Sequence, residues 1–289
     1  MMSLAPLVST EWLARNFSSP DIRVVDASYF LPNEDQDARK LYEEEHIPGA
    51  VFFDIDAIKD PSSPLPHMLP APEIFSSKVR KLGLGDGLRI IVYDRRGMMS
   101  APRVWWSFKH YGHHDVYVLD GGLQKWKAEG RALDDHPIVP MERHFTPRMN
   151  SLLLRDKEQM VANLASGREQ VVDARAQARF EGRAPEPRQG LRSGHIPHSR
   201  NLPWNDLVTA DSTLKDTAGL KQAFEQAGLD LTRPIVASCG SGVTACVLLL
   251  GLSCLGLKNL ALYDGSWSEW GLDDSGAPIE QGPAESLEN

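Results

Sequence analysis

Cys239 is the residue of this sequence best placed to act as a nucleophile. It ends a β-branched run, Ile235–Ser238, and precedes Gly240, Ser241, Gly242, Val243 and Thr244, after which comes a long apolar stretch. A strand, a tight loop and a helix in that order aim backbone N–H groups and the positive helix end at one point. Gly240 and Gly242 permit the sharp turn. A thiol held there is favoured as the thiolate, which is the nucleophilic form. Most free cysteines are small buried hydrophobes. That reading fits Cys246 and Cys254, seven and fifteen residues further along. The Gly-Ser-Gly setting separates Cys239 from them.

The elements that must position this loop are written twice. IRVVDAS, with Asp26, matches QVVDARA, with Asp173, at an offset of 147. EHIPGA, with His46, matches GHIPHS, with His195, at 149. RIIVYD, ending at Asp94, matches PIVASC, ending at Cys239, at 145, and YVLDGG, with Asp120, matches ALYDGS, with Asp264, at 144. Four landmarks in one order at nearly constant offset indicate two copies of one domain. The short β-branched runs read as buried parallel strands. Between them, APRVWWSFKHYG and VTACVLLLGLSCLG read as helices, the second apolar nearly all round. An α/β fold follows, each copy a mostly parallel sheet flanked by helices. Sites in such folds lie beyond the C-terminal strand ends, where Cys239 falls. The expected boundaries are an N-terminal domain over 1–135, a linker over 136–150 and a C-terminal domain over 151–289. A second proline-rich loop, Pro61 to Pro72, lies within the first copy and has no counterpart in the second.

Composition narrows the class. The 289 residues carry a formal net charge of -8, and nucleic-acid binders normally present a basic face. Three cysteines in so long a chain are no secreted disulfide framework, and none has zinc spacing. The first residues show no basic segment followed by an apolar one, so no signal peptide is expected. No window reaches the roughly 20 apolar residues of a membrane helix. The expected setting is a reducing cytoplasm, with neither nucleic acid nor membrane as partner and with no metal or organic cofactor.

The loop CGSGVTA resembles the active-site loop of the 3-mercaptopyruvate sulfurtransferases, a family of the rhodanese superfamily with tandem domains. The resemblance runs from about Leu7 to Gly271. It includes HIPGAVFFDID (46–56), SPLPHMLP (63–70), SAPRVWW (100–106), PEPRQGLRSGHIP (185–197) and YDGSWSEWG (263–271). It implies that Cys239 carries transferred sulfur as a persulfide. Asp94, in the equivalent place of the first copy, cannot carry sulfur, so the first copy is expected to be a scaffold that supplies one wall of the site. The resemblance further implies that Ser241, His67 and Asp56 handle protons around the cysteine. Arg179 and Arg188 match the substrate-carboxylate positions, and Gly240, Gly242, Val243 and Thr244 complete the binding loop. Glu181 and Glu186 stand close enough in sequence to pair with these arginines instead. His195 reads as structural, because its twin His46 lies in the copy without a cysteine.

The family's thiosulfate-preferring members carry cations just after the cysteine, suited to a dianion. Gly240 and Ser241 are neutral, which suits a mono-carboxylate thiol. The implied donor is therefore 3-mercaptopyruvate, with pyruvate released. The implied acceptor is a thiol such as thioredoxin, or cyanide. The alternatives are a thiosulfate-cyanide sulfurtransferase and a non-catalytic sulfur carrier or binding module. A cysteine phosphatase would need an arginine six positions after the cysteine, where Ala245 stands. Met98 and Met99, and HIPHS in place of HIPGA, depart from the family pattern.

Overall fold

The computed structural model describes residues 6–31 and 33–284. They form two compact units. The first holds the described residues through Ser62, with Leu69–Asn150 and Val208–Leu214. The second holds Ser63–Met68, Ser151–Leu207 and the described residues from Lys215 onward. The segment Ser63–Met68, inside the first copy by sequence, thus packs with the second unit, and it carries His67.

Each unit is built on a five-stranded sheet. In the first the strands are β1 (Leu7–Val8), β2 (Ile22–Asp26), β3 (Ala50–Phe52), β4 (Arg89–Tyr93) and β5 (Val116–Leu119), in the order β1-β5-β4-β2-β3. In the second they are β6 (Leu154–Arg155), β7 (Gln170–Asp173), β8 (Arg200–Asn201), β9 (Ile235–Ser238) and β10 (Leu260–Tyr263), in the order β6-β10-β9-β7-β8. The two orders are one topology repeated. Every pairing between these strands is parallel.

Burial explains the apolar runs. All four residues of β9 and all four of β10 are buried, as a sheet covered on both faces requires. The helix Ala245–Cys254 is buried from Ala245 through Leu252. Gly251 lets it approach its neighbours, since a β-carbon there would lie 3.3 Å from Leu207 and Phe224. In the first unit the helix Ala101–His110 is buried at every position but Lys109. Met98 and Met99 are buried beside it, 1% and 4% exposed.

The stretch 136–150 has no helix or strand but is bound to the first unit. Phe145 is buried and packs edge-on to Phe75 and Phe108. Asp86 receives the Thr146 hydroxyl at 2.6 Å, and Arg148 N–H donates to the Tyr111 carbonyl at 2.8 Å.

Candidate active site

β9 is the central strand of its sheet, and Cys239 follows its last residue. The thiol-bearing residue is 1% exposed. Neighbouring backbone fixes it: Trp267 N–H donates to the Cys239 carbonyl at 2.9 Å, and Ser268 N–H to the Gly240 carbonyl at 2.8 Å. The Ser268 hydroxyl reinforces the second contact at 2.7 Å. Gly242 takes φ 75, a left-handed conformation that glycine adopts without strain. The Cys246 thiol donates to the Gly242 carbonyl at 3.4 Å, so its packing role is inside the turn.

The first unit shows what such a loop holds. Asp94 follows β4 as Cys239 follows β9. One oxygen of its buried carboxylate accepts Arg96 N–H at 2.8 Å, and the other accepts Ser100 N–H at 2.9 Å and Ala101 N–H at 2.8 Å. Three amides thus converge on one anion. The offset of 145 puts Ser241, Ala245 and Cys246 at the matching positions. Cys246 N–H is taken by the Val243 carbonyl at 3.1 Å, whereas among the described residues the amides of Ser241, Thr244 and Ala245 donate to no backbone carbonyl. The chain therefore carries one anion cradle filled by its own carboxylate and, at the equivalent place, a loop headed by a thiol.

Of the residues singled out for proton handling, His67 and Ser241 are brought together. His67 Nδ1 lies 3.0 Å from the Ser241 hydroxyl oxygen, and both residues are buried. His67 has φ 62, a conformation non-glycine residues rarely hold unless the surroundings impose it. Asp56 lies in the first unit, exposed, in the turn after β3.

Arg179 lies against the loop: a β-carbon on Gly240 would sit 3.2 Å from its Nη2. It does pair with an acid of its own loop. Its Nη2 contacts Glu186 Oε2 at 2.5 Å, and the Glu186 side chain is 2% exposed. Glu186 also accepts from Arg175 Nη1 at 2.8 Å, and Arg175 forks onto Asp173 at 2.7–3.1 Å. The Arg175 guanidinium stacks 4.2 Å from the Trp267 ring centre. Burial opposes the charge on Arg175, but the Asp173 and Glu186 carboxylates outweigh it and raise its pKa. Asp173, Arg175, Glu186 and Arg179 form a chain of alternating charge that sums to zero, buried except at Arg179. Arg188 lies partly exposed in the same loop, two residues past Glu186. Arg183 pairs with Glu181 instead, and Arg192 binds the carbonyls of Trp270 and Ala277.

The histidines after β2 and β7 are a structural pair. His46 Nδ1 bonds the Tyr42 carbonyl at 2.7 Å, and His195 Nδ1 bonds the Phe180 carbonyl at 2.8 Å. Each stacks on the ring of the residue it bonds, at 4.3 and 3.8 Å between centres. Burial pushes the His195 pKa down, as suits a neutral packed ring.

The parts played by two residues of this region show only in the fold. Glu186 is an acid in a polar loop, and only the fold reveals that its carboxylate is buried between two arginines. Ser266, discussed below, has a hydroxyl 3.2 Å from Cys239 N. The comparison that marks it is its duplicated partner, a glycine.

Similarity to known proteins follows the duplication. The rhodanese-like domain matches residues 9–129 and again 156–273. The 3-mercaptopyruvate sulfurtransferase of Homo sapiens is 42% identical over 270 residues, covering 91% of this chain and 91% of that protein. The thiosulfate sulfurtransferase of Mus musculus is 44% identical over 271 residues, again covering 91% of each. The crystal structure of SseA from Escherichia coli, a 3-mercaptopyruvate sulfotransferase, superposes with a TM-score of 0.84 at 40% identity, covering 91% of this chain and 99% of that one. Among the described residues no helix is long and apolar enough to cross a membrane.

Proposed function

The chain belongs to the rhodanese-like domain family, with two tandem copies, and from that premise we propose that it moves sulfur from 3-mercaptopyruvate to a thiol or cyanide through a persulfide on Cys239. The observation that carries this reading is the pair of equivalent loops. The one around Asp94 binds an anion with converging amides, and the equivalent one around Cys239 keeps two of the three matching amides, those of Ser241 and Ala245, for a sulfur anion.

The donor carboxylate meets Arg179 and Arg188, and the Cys239 thiolate attacks the donor sulfur. The S–S bond forms as the C–S bond breaks, and its electron pair leaves on carbon as the enolate of pyruvate. The proton of the donor thiol passes to that carbon. Ser241 and His67, 3.0 Å apart, form a relay for it. The persulfide anion rests in the cradle until an acceptor thiolate takes the outer sulfur and restores Cys239, a two-stage exchange. Cyanide takes it as thiocyanate. Gly242, Val243 and Thr244 shape the floor that receives the donor.

Both donor classes are represented among the relatives, so the choice rests on charge. Arg179 is neutralised by Glu186, and Gly240 and Ser241 add no cation. A loop with no cation beside the cysteine fits a mono-carboxylate better than the thiosulfate dianion. The three free cysteines accord with a reducing compartment such as the cytoplasm, and a dithiol protein of the thioredoxin kind is the acceptor we favour. Comparing kcat/KM for 3-mercaptopyruvate and thiosulfate with one acceptor tests the donor. A higher value for 3-mercaptopyruvate is expected; a higher value for thiosulfate would overturn the assignment.

A further inference from the structure

Behind Cys239 lies a buried serine in a conformation that serine rarely takes. Ser266 has φ 50 and is 0% exposed. Its hydroxyl accepts Cys239 N–H at 3.2 Å and donates to the Tyr263 carbonyl at 2.8 Å. The offset of 144 makes Gly122 its counterpart in the first unit, at φ 53. The backbone path is the same in both. Leu123 N–H donates to the Asp94 carbonyl at 2.9 Å, just as Trp267 N–H donates to that of Cys239 at 2.9 Å.

Glycine is the residue that makes this turn without strain. At Gly122 a β-carbon would come within 2.5 Å of the Asp94 carbonyl oxygen. The turn itself therefore needs no side chain. The copy that carries the thiol nevertheless has a serine there, with the backbone strain this entails. What the serine adds is one hydroxyl, and that hydroxyl is spent on the amide of the nucleophile.

We infer that Ser266 is a positioning residue for sulfur transfer: its hydroxyl fixes the Cys239 peptide so that the thiol, and then the persulfide, faces the amides of the loop. The inference rests on Cys239 as the sulfur-carrying residue. It gives Ser266 no contact with the donor, so its loss should change the chemical step and spare donor binding.

Ser266→Gly tests this, because it copies the solution of the first unit and deletes the hydroxyl. In a single turnover with 3-mercaptopyruvate, pyruvate release is expected to slow about tenfold or more, the scale on which small misplacements of reacting groups act. The donor KM should stay within about twofold of the unaltered protein. Ser266→Ala, which keeps the β-carbon, should show the same split. If either variant fails to fold, the other is read at a temperature where circular dichroism shows it native. Unchanged pyruvate release in a folded variant overturns the inference. So does a raised KM with unchanged kcat, since that pattern belongs to donor binding. If the unaltered protein forms no persulfide on Cys239, the failure lies instead with the proposed function.

Discussion

Replacing Asp94 by asparagine probes the cradle of the first unit. The Asp94 carboxylate accepts one amide on Oδ1 and two on Oδ2, all at 2.8–2.9 Å and all in a site 1% exposed. An asparagine is nearly the same size but presents only one acceptor oxygen. Its better orientation keeps the oxygen on Ser100 and Ala101 N–H and turns the amide nitrogen toward Arg96 N–H. One charge-assisted bond is lost and two donors face each other. A hydrogen bond to a charged group contributes about 1.5–3 kcal/mol, so a loss of about 2 kcal/mol is expected. Hydrogen exchange of the amides over 96–101 reads this locally, which matters in a chain of two units that need not unfold together. At about 2 kcal/mol, exchange through local opening should speed up about thirtyfold. Exchange faster by less than about twofold would mean that the loop does not act as an anion cradle. The parallel drawn with Cys239 would then lose its support.

Two further outcomes follow from the geometry. His67→Gln keeps a hydrogen-bonding group near Ser241 but cannot take up and release a proton, so kcat should fall by about 10²–10⁴ with little change in donor KM; steady-state kinetics check this, and an unchanged kcat would remove His67 from the relay. Asp26→Asn should stabilise the first unit: burial raises the pKa of this enclosed carboxyl, so its contribution is fully present below the unfolded value of about 4 and is lost as pH rises through the folded one. The gain should therefore be larger in denaturant titrations at pH 8 than at pH 4, and equal gains at both would contradict the assignment.

Much of this molecule is legible in its sequence because burial leaves a pattern. Strands β2, β4, β9 and β10 lie inside covered sheets, so they are written as mostly apolar runs, and the helix Ala245–Cys254 announces itself in the same way. The edge strands β1, β6 and β8 are two residues long, too short for any period to show. The thiol loop is local in sequence, so strand, glycines and helix could be read together. What is not local shows no pattern in the residues themselves, and His67 came only through the resemblance. Ser63–Met68 reads as a loop of the first copy, yet it packs in the second unit and brings His67 to Ser241. Glu186 and Arg179 are seven residues apart among several charges, and only burial decides that Arg179 pairs with Glu186 while Arg183 takes Glu181. Ser266 lies within YDGSWSEWG but took no role there, since a left-handed serine cannot be told from an ordinary helix-starting one until φ is known.

Sulfur on Cys239 can be weighed. Incubated with 3-mercaptopyruvate without acceptor and desalted, the intact protein should gain about 32 Da, the mass of one sulfur, as expected of a persulfide. Peptide mapping should place the gain on the fragment holding Cys239, and cyanide should remove it as thiocyanate. Cys239→Ser should show neither the added mass nor pyruvate release. A gain on Cys246 or Cys254 instead, or pyruvate released at the normal rate by Cys239→Ser, would contradict the assignment of Cys239 as the sulfur carrier.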